Sequence, residues 1–318
     1  MNNGLSRVYE LASRSSRIAV VGAIITFGIF DLISLDFPLS GQIVIAVISL
    51  LIGIPHGAID HLITIPRESR VRFIAFIFFY VLLAVAAGFA IATWNQIGFQ
   101  LILVISALHF GFGDGAFKSE WNESRGISKD GFLKVSAYAL PAGFLPVILP
   151  LTDSRALSAL NRINPEIANW SGSINQTLRN IVLVLALIGL LLLLINKNFQ
   201  TALDLILLAI LSLLAPPLIA FAVYFGCWHA VRHTARLVPK LPKALVFAHS
   251  TEPLKAFTSA VMPGLYAVFG TILLAVGLMV FRPEYFDTGL LWTILVIIWA
   301  LTIPHMLTTA KFDLQLFK

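Results

Sequence analysis

Long apolar runs dominate this chain and restrict its fold more than any other feature. Of its 318 residues, 58% are hydrophobic and only 12% are charged, whereas soluble domains carry about 25% charged residues. A helix needs roughly 20 apolar residues to cross a bilayer core, and in lipid only helices and closed barrels satisfy their own backbone. The sequence therefore predicts an all-α, polytopic membrane bundle.

About eight to ten transmembrane helices are predicted, and ten in the fullest interpretation. The run 201–237 is too long for one span, and Pro216 and Pro217 lie at its middle, so we divide it there. The basic N-terminal segment is expected to precede a first membrane helix, not a removed signal peptide. No linker or repeat divides the chain, so 1–318 is expected to be a single membrane-embedded domain. The predicted spans are 18–35, 42–65, 72–93, 97–117, 132–150, 179–195, 201–215, 217–237, 256–281 and 289–309.

The distribution of basic residues predicts the orientation. Lys and Arg concentrate in the cytoplasmic segments of membrane proteins. With a cytoplasmic N-terminus, eighteen of the 22 basic residues fall on the inner side, and only Arg155, Arg162, Arg179 and Arg282 fall outside. The net charge of +6 is thus attributed to topology and not to nucleic-acid binding. Both termini are expected in the cytoplasm.

Six of the seven histidines fall in even-numbered predicted spans: His56, His61, His109, His229, His233 and His305. Three of them, His56, His109 and His229, share one depth, because each lies about 20 Å from the outer end at 1.5 Å per residue. A single such histidine is most simply a core residue bonded to a backbone carbonyl. A layer of them is expected to be a functional site, because intramembrane ionisable groups are costly and imidazole is the commonest metal ligand.

The spacing within the layer suggests separate roles. His229 and His233 stand four residues apart on one helix face, which suits two ligands of one ion. Asp60, four residues after His56, is expected to accept a hydrogen bond from that ring. His61, Asp114 and His305 complete the expected outer shell: the two histidines are expected to donate to Asp60, Asp114 or a backbone carbonyl and so orient the ligands.

Aromatic residues flank these histidines, and the sequence predicts an apolar substrate pocket formed by Phe110, Phe112, Tyr224, Phe225 and Trp228. Lipid-facing packing is the alternative for each of them. Gly111, Gly113 and Gly115 suit either a flat ligand or a closely packed helix, and the sequence leaves both open. All-imidazole ligands suit zinc, copper or iron. A metal in a dry pocket favours an apolar substrate and O₂ chemistry, and hence Fe(II).

Four segments in order, GIPHGAIDHL, ALHFGFGD, CWHAVRHTARL and TIPHMLT, resemble the Brp/Blh family of bacterial β-carotene dioxygenases. The resemblance runs from about residue 50 to 310. It implies a multi-pass inner-membrane enzyme that cleaves β-carotene with O₂ at the central 15,15′ double bond, giving two molecules of all-trans-retinal for a microbial rhodopsin. It also implies a non-haem iron cofactor, Fe(2+), and its catalytic ligands would be His56, His109, His229 and His233. A dioxetane and an epoxide route both remain open.

Other classes of membrane protein also place histidines inside the bilayer. Membrane desaturases and hydroxylases need about eight histidines in boxes such as HxxHH, and this chain has no adjacent histidine pair. A haem-b carrier or a proton-coupled transporter would use intramembrane His and Asp without cleaving a substrate. Loss of orange pigment and formation of retinal in a carotene-producing host would distinguish the dioxygenase from all of these alternatives.

The charge asymmetry gives a first testable prediction. A cytoplasmic reporter fused after Lys318 should be active, because the positive-inside rule leaves the C-terminus inside. A periplasmic reporter at the same position should be inactive, and a reporter in the 151–177 loop should behave in the opposite way. Activity of the periplasmic fusion at Lys318 would mean that the number of spans is odd.

Overall fold

The computed structural model describes residues 3–64, 69–128, 131–281 and 290–315, and it contains only helices and their connections in these ranges. The α-helices are α1 Asn3–Leu32, α2 Leu39–Gly57, α3 Asp60–Thr64, α4 Arg70–Thr93, α5 Asn95–Ser124, α6 Phe132–Val147, α7 Ser154–Ile163, α8 Asn175–Ile195, α9 Phe199–Leu214, α10 Pro217–Ala222, α11 Ala230–Leu237, α12 Pro242–His249, α13 Pro253–Val261, α14 Leu265–Phe281 and α15 Leu290–Gln315. A π-helix spans Val223–His229. Short 3₁₀ turns lie at Leu149–Thr152, Pro165–Ile167, Gly172–Ile174, Val238–Lys240 and Met262–Gly264.

Within the described ranges, seven stretches are long and apolar enough to cross a membrane: Gly4–Leu32, Leu39–Thr64, Arg70–Thr93, Asn95–Ser124, Gly172–Ile195, Pro253–Leu274 and Leu291–Ala310. The shorter apolar helices α6 and α9 and the broken segment 217–237 correspond to the other three predicted spans. The outward faces carry mostly Ile, Leu, Val and Phe, as lipid contact requires. The prediction of a polytopic helical membrane protein is confirmed.

The predicted division at the two prolines is also confirmed. Helix α9 ends at Leu214, and α10 starts at Pro217, the first helical position, where proline loses no hydrogen bond. After six residues α10 passes into the π-helix, whose i→i+5 hydrogen bonds add one residue to the turn. The sequence analysis did not predict this π-helix, which ends at His229.

Two glycines bring the backbones of α5 and α6 into direct contact. A Cβ atom on Gly143 would lie 1.8 Å from the carbonyl oxygen of Ala107, and one on Gly111 would lie 2.0 Å from that of Ala139. Neither distance is sterically allowed for a side chain. At Gly111 the structure therefore favours close helix packing over contact with a flat ligand. The contact fixes the middle of α5.

A buried carboxylate joins four helices at one end of the bundle. Asp204 on α9 is fully buried, and Arg17 Nε lies 2.6 Å and Arg232 Nη2 3.1 Å from its two oxygens. The ammonium group of Lys118 on α5 forms a third ion pair with it. Removing one partner of a buried ion pair leaves an uncompensated charge and is strongly destabilising. Asp204 therefore ties α1, α5 and α11 to α9.

The close contact between α5 and α6 yields a stability prediction. Gly143→Ala should lower the melting temperature of the detergent-solubilised protein, because the new methyl group must push two backbones apart, at about 1–3 kcal/mol or more. Gly270→Ala on α14 is the matched control, since a Cβ there meets nothing within 4 Å. Equal melting temperatures for the two variants would show that α5 and α6 do not touch.

Candidate active site

Five histidines from four parts of the chain meet in the interior: His56 at the end of α2, His109 in α5, His229 at the end of the π-helix with His233 one turn later in α11, and His305 in α15. Each is at most 8% exposed. We refer to these five residues as the histidine cluster. Four of them are the predicted ligands, and His305 was expected to lie outside the ligand set.

The rings of the cluster are mutual neighbours. His233 is in ring contact with the other four, with centroid distances of 5.1 Å to His56, 6.2 Å to His109, 5.7 Å to His229 and 5.6 Å to His305. Those four form a closed circuit, with distances of 5.6 Å for His56–His229, 5.4 Å for His229–His109, 5.2 Å for His109–His305 and 5.3 Å for His305–His56. Four imidazoles therefore form a closed circuit, and the fifth, His233, packs against all four.

Three rings of the cluster are held through Nδ1 by an oxygen atom. The contacts are His229 to Asp114 at 3.4 Å, His305 to Asp60 at 3.0 and 3.1 Å, and His109 to Thr309 at 3.3 Å. The Thr309 hydroxyl donates to the carbonyl of His305, so we infer that it accepts from His109. Oxygen acceptors at Nδ1 keep the proton there and leave the Nε2 lone pair available.

Several ring nitrogens of the cluster are buried and have no hydrogen-bond partner. They are Nε2 of His109, His229 and His305, Nδ1 of His56, and both ring nitrogens of His233. An unsatisfied buried polar atom costs about 1–3 kcal/mol. Six unpaired nitrogens in one place indicate that a bound group, such as a metal ion, is their common partner.

The spacing of the rings fits a metal ion. With a metal–nitrogen bond of about 2.1 Å, an imidazole centroid lies about 3.2 Å from the ion, so ligand centroids are about 4.5 Å apart at right angles and about 6.4 Å apart on opposite sides. The observed contacts of 5.1 to 6.2 Å fall in this range. In the described part of the chain, however, no three His, Cys, Asp or Glu side chains make a preformed metal site. Binding an ion therefore requires the rings to turn about their side-chain torsions.

Asp114 is supported by two predicted substrate-binding residues. Tyr224 Oη donates to it at 3.2 Å and Trp228 Nε1 at 3.0 Å, and both side chains are fully buried. Neither lines a cavity described below, so their assignment to the substrate pocket stays a prediction. They lie four residues apart on the face toward Asp114, whereas Phe225 is turned away from that face. The Trp228 ring also packs 3.5 Å from the guanidinium of Arg232, which binds Asp204.

Asp60 contacts His305, one of the two histidines expected to donate to it, and not His56. The sequence analysis paired it with His56 by helical spacing, but α2 ends at Gly57 and α3 begins at Asp60. The turn between the helices removes the i,i+4 relation. Asp60 instead contacts His305 across the bundle and accepts a hydrogen bond from Tyr80 Oη at 3.3 Å.

Two other predicted site residues lie outside the cluster. His61 is half-buried and makes a ring contact with Phe73 at 6.1 Å. Phe112 stacks on Phe132 at 6.4 Å and lines neither cavity described below, so its assignment to the substrate pocket also stays a prediction. The reason is helical geometry: Phe112 lies about 200° around α5 from Phe110.

Two cavities meet beside the histidine cluster. The histidine cavity, about 240 Å³, is lined by His56, His305, Asp60, His61 and Tyr80 together with apolar residues. The apolar cavity, about 120 Å³, lies between α2, α5, α7 and α15. Both are bordered by Leu50, Phe110, Phe225, Ile298 and Thr302. Of the predicted aromatic lining, Phe110 and Phe225 thus border the space beside the histidines.

The sequence analysis missed two groups that hold the cluster. Thr309 had a detectable signal, because it follows His305 by one helical turn and comes directly after the TIPHMLT segment. Tyr80 had none beyond a single phenol in the apolar run of α4. Its contact with Asp60 depends on how α4 packs against α15.

Comparisons with known proteins identify the family of this chain. Residues 47–313 match the family model described as "Beta-carotene 15,15'-dioxygenase". A curated protein of that name from an uncultured marine bacterium, 66A03, is 29% identical over 269 residues, which cover 80% of this chain and 88% of that protein. No solved structure matches. Because the family model covers most of the sequence, including all five residues of the cluster, the chain belongs to the β-carotene 15,15′-dioxygenase family.

Proposed function

We propose that this enzyme cleaves β-carotene with O₂ at the central 15,15′ double bond, giving two molecules of all-trans-retinal, at a non-haem Fe(II) ion held by histidines. Family membership supports the substrate and the bond. The proposed iron centre and its reaction with O₂ rest on one observation: a cluster of buried imidazoles with unpaired nitrogens lies next to two cavities with apolar walls.

His56, His109, His229 and His233 would hold the iron, each through a neutral nitrogen. Bound Fe(II) supplies the one-electron chemistry that lets O₂ react with a closed-shell alkene, which no amino-acid side chain provides. The ligands leave the ion its full double positive charge. Asp114, in contact with the proposed ligand His229, and Asp60, in contact with the neighbouring His305, would place carboxyl groups near this charge in an apolar interior.

The substrate requires apolar space on both sides of the reacting bond. β-Carotene is a symmetrical hydrocarbon, so recognition rests on shape and burial and not on hydrogen bonds. Phe110 and Phe225 border both cavities, and the larger cavity reaches His56 and His305. With its central bond beside the histidines, the polyene places one half in each cavity. We expect the substrate to be tilted, because the histidine layer lies about 20 Å from the outer ends of its spans and therefore off the midplane of a hydrocarbon core about 30 Å thick.

The overall reaction balances without another redox partner. Both bonds between C15 and C15′ are broken, and each carbon receives one oxygen atom of O₂ as an aldehyde. No external reductant is consumed, so the chain needs no nicotinamide or flavin site. The task left to the protein is to hold the ion, align the polyene and exclude water.

The lining of the histidine cavity supports release of product toward the membrane. Tyr80 from α4 and Thr271 from α14 border this cavity. The outward faces of these helices carry exposed apolar residues such as Phe79 and Leu273. We infer that retinal leaves between these helices into the lipid bilayer, where a microbial rhodopsin takes it up as chromophore. The enzyme is then a multi-pass protein of the bacterial inner membrane.

The compactness of the cluster disfavours a haem protein. A porphyrin lies between its two axial imidazoles and keeps other side chains outside its edge. Here each ring has neighbours within 6.2 Å on more than one side, which leaves no room for a macrocycle.

Removing a proposed ligand should remove the metal. His229→Ala and His233→Ala should lose both bound iron and retinal formation, because each takes a buried nitrogen from the centre. Iron is measured by elemental analysis of purified protein, and retinal by chromatography. His249→Ala on the exposed end of α12 is the control and should keep both. A folded His229→Ala protein with normal iron content would exclude this residue as a ligand.

A larger side chain where the two cavities meet should hinder substrate binding and leave metal binding unchanged. Ile298→Trp should lower kcat/KM for β-carotene by roughly 10²-fold, because misplacement by about 1 Å is enough for such a loss. Iron content should be unchanged. Leu307→Trp, on an exposed part of α15, tests for a general effect of adding a tryptophan and should be active. Equal activity of the two variants would place the polyene elsewhere.

A further inference from the structure

We propose that His305 is a fifth imidazole ligand of the metal centre and that Asp60 and Tyr80 position it. This inference rests on the proposed function, because it requires that the cluster hold a metal. It assigns a ligand beyond the four expected from the sequence. It also gives a role to an Asp–Tyr pair that those four ligands do not explain.

His305 has the same features as two of the four expected ligands. Its side chain is buried, an oxygen atom lies at its Nδ1, and its Nε2 is buried without a partner. The same three statements hold for His109 with Thr309 and for His229 with Asp114. A histidine that only packs in the core would use both ring nitrogens, so the unpaired Nε2 of His305 points to a missing partner.

The arrangement of the rings is complete only with His305. It bridges His109 and His56, with centroid distances of 5.2 Å and 5.3 Å, and closes the circuit of four. Without it the circuit has an open side. His233 contacts all four rings, so the five imidazoles are arranged as a square pyramid with His233 at its apex.

The side of the circuit away from His233 faces the aromatic wall of the cavities. Phe110 contacts His229 at 4.5 Å and His109 at 5.5 Å, and Phe225 contacts His56 at 6.0 Å. Neither phenylalanine is in ring contact with His233 among the described residues. Five ligands on an octahedral ion leave one position open. The square pyramid directs that position toward the space that both cavities share.

Asp60 and Tyr80 fix the ring of His305. The carboxylate oxygens of Asp60 lie 3.0 and 3.1 Å from Nδ1, and Tyr80 Oη donates to Asp60 at 3.3 Å. The carboxylate holds the proton on Nδ1 and turns Nε2 inward. Carboxylates in this position orient metal-bound histidines and raise their basicity. Asp114, with Tyr224 and Trp228, does the same for His229 from the other side of the cluster.

The cobalt-substituted protein tests the coordination number directly. The visible absorption of Co(II) becomes more intense when the ion changes from five or six ligands to four. The full-length protein, loaded with Co(II) in detergent, should show a weak band, and His305→Ala should show a stronger one. Added imidazole should restore the weak band in His305→Ala by filling the vacated space. His249→Ala is the control, because His249 lies on the exposed end of α12, outside the cluster and both cavities, and its spectrum should be unchanged.

The outcomes separate this inference from the proposed function. If the unmodified protein takes up neither iron nor cobalt, the metal centre itself is wrong. If it binds metal and His305→Ala keeps the same stoichiometry and spectrum, His305 is not a ligand and only this inference fails. If His305→Ala does not fold, Asp60→Asn decides: we expect metal affinity to fall about 10–100-fold with a shifted cobalt band. An unchanged band and affinity in Asp60→Asn would overturn the inference.

Discussion

The contact between a buried carboxylate and an imidazole ring is the interaction on which the site depends. A polar group inside a helical membrane protein finds no water, so it must be satisfied by another side chain. Asp114 and Asp60 do this for His229 and His305, and each leaves the other ring nitrogen unpaired. The carboxylates are in turn satisfied by phenol and indole donors. The site is thereby arranged around two buried carboxyl groups and a cluster of imidazole rings.

These contacts extend from the cluster to the first helix of the chain. Trp228 donates to Asp114 and stacks on Arg232, and Arg232 binds both Asp204 and the hydroxyl of Ser16. Helix α1 lies before residue 47, where the match to the family model begins, yet it supplies Ser16 to this network. It is therefore a part of the support of the active site, and not only a membrane anchor.

The sequence was sufficient to predict the bundle and the members of the cluster. Apolar length identified the spans, and Pro216 and Pro217 identified a real break. Depth along even-numbered spans indicated that five of six histidines lie in one place, because spans that cross in the same direction align residues equally far from their outer ends. The direction in which each side chain points around its helix was less predictable. The turn after Gly57 redirected Asp60 to His305, and the π-helix directed Tyr224 and Trp228 to Asp114. Such turns depend on packing between distant segments, which spacing along one segment does not contain.

The π-helix at Val223–His229 also bears on how such a site originates. A π-turn is an α-turn with one added residue, and the helix on either side continues undisturbed. One inserted codon is therefore enough to rotate every later side chain of a span by about 100° relative to the earlier ones. In this chain the π-helix presents Tyr224 and Trp228 to Asp114 on one side and Phe225 to both cavities on another. A membrane helix that once packed only against its neighbours acquires, by a change in length of a single residue, a second functional face.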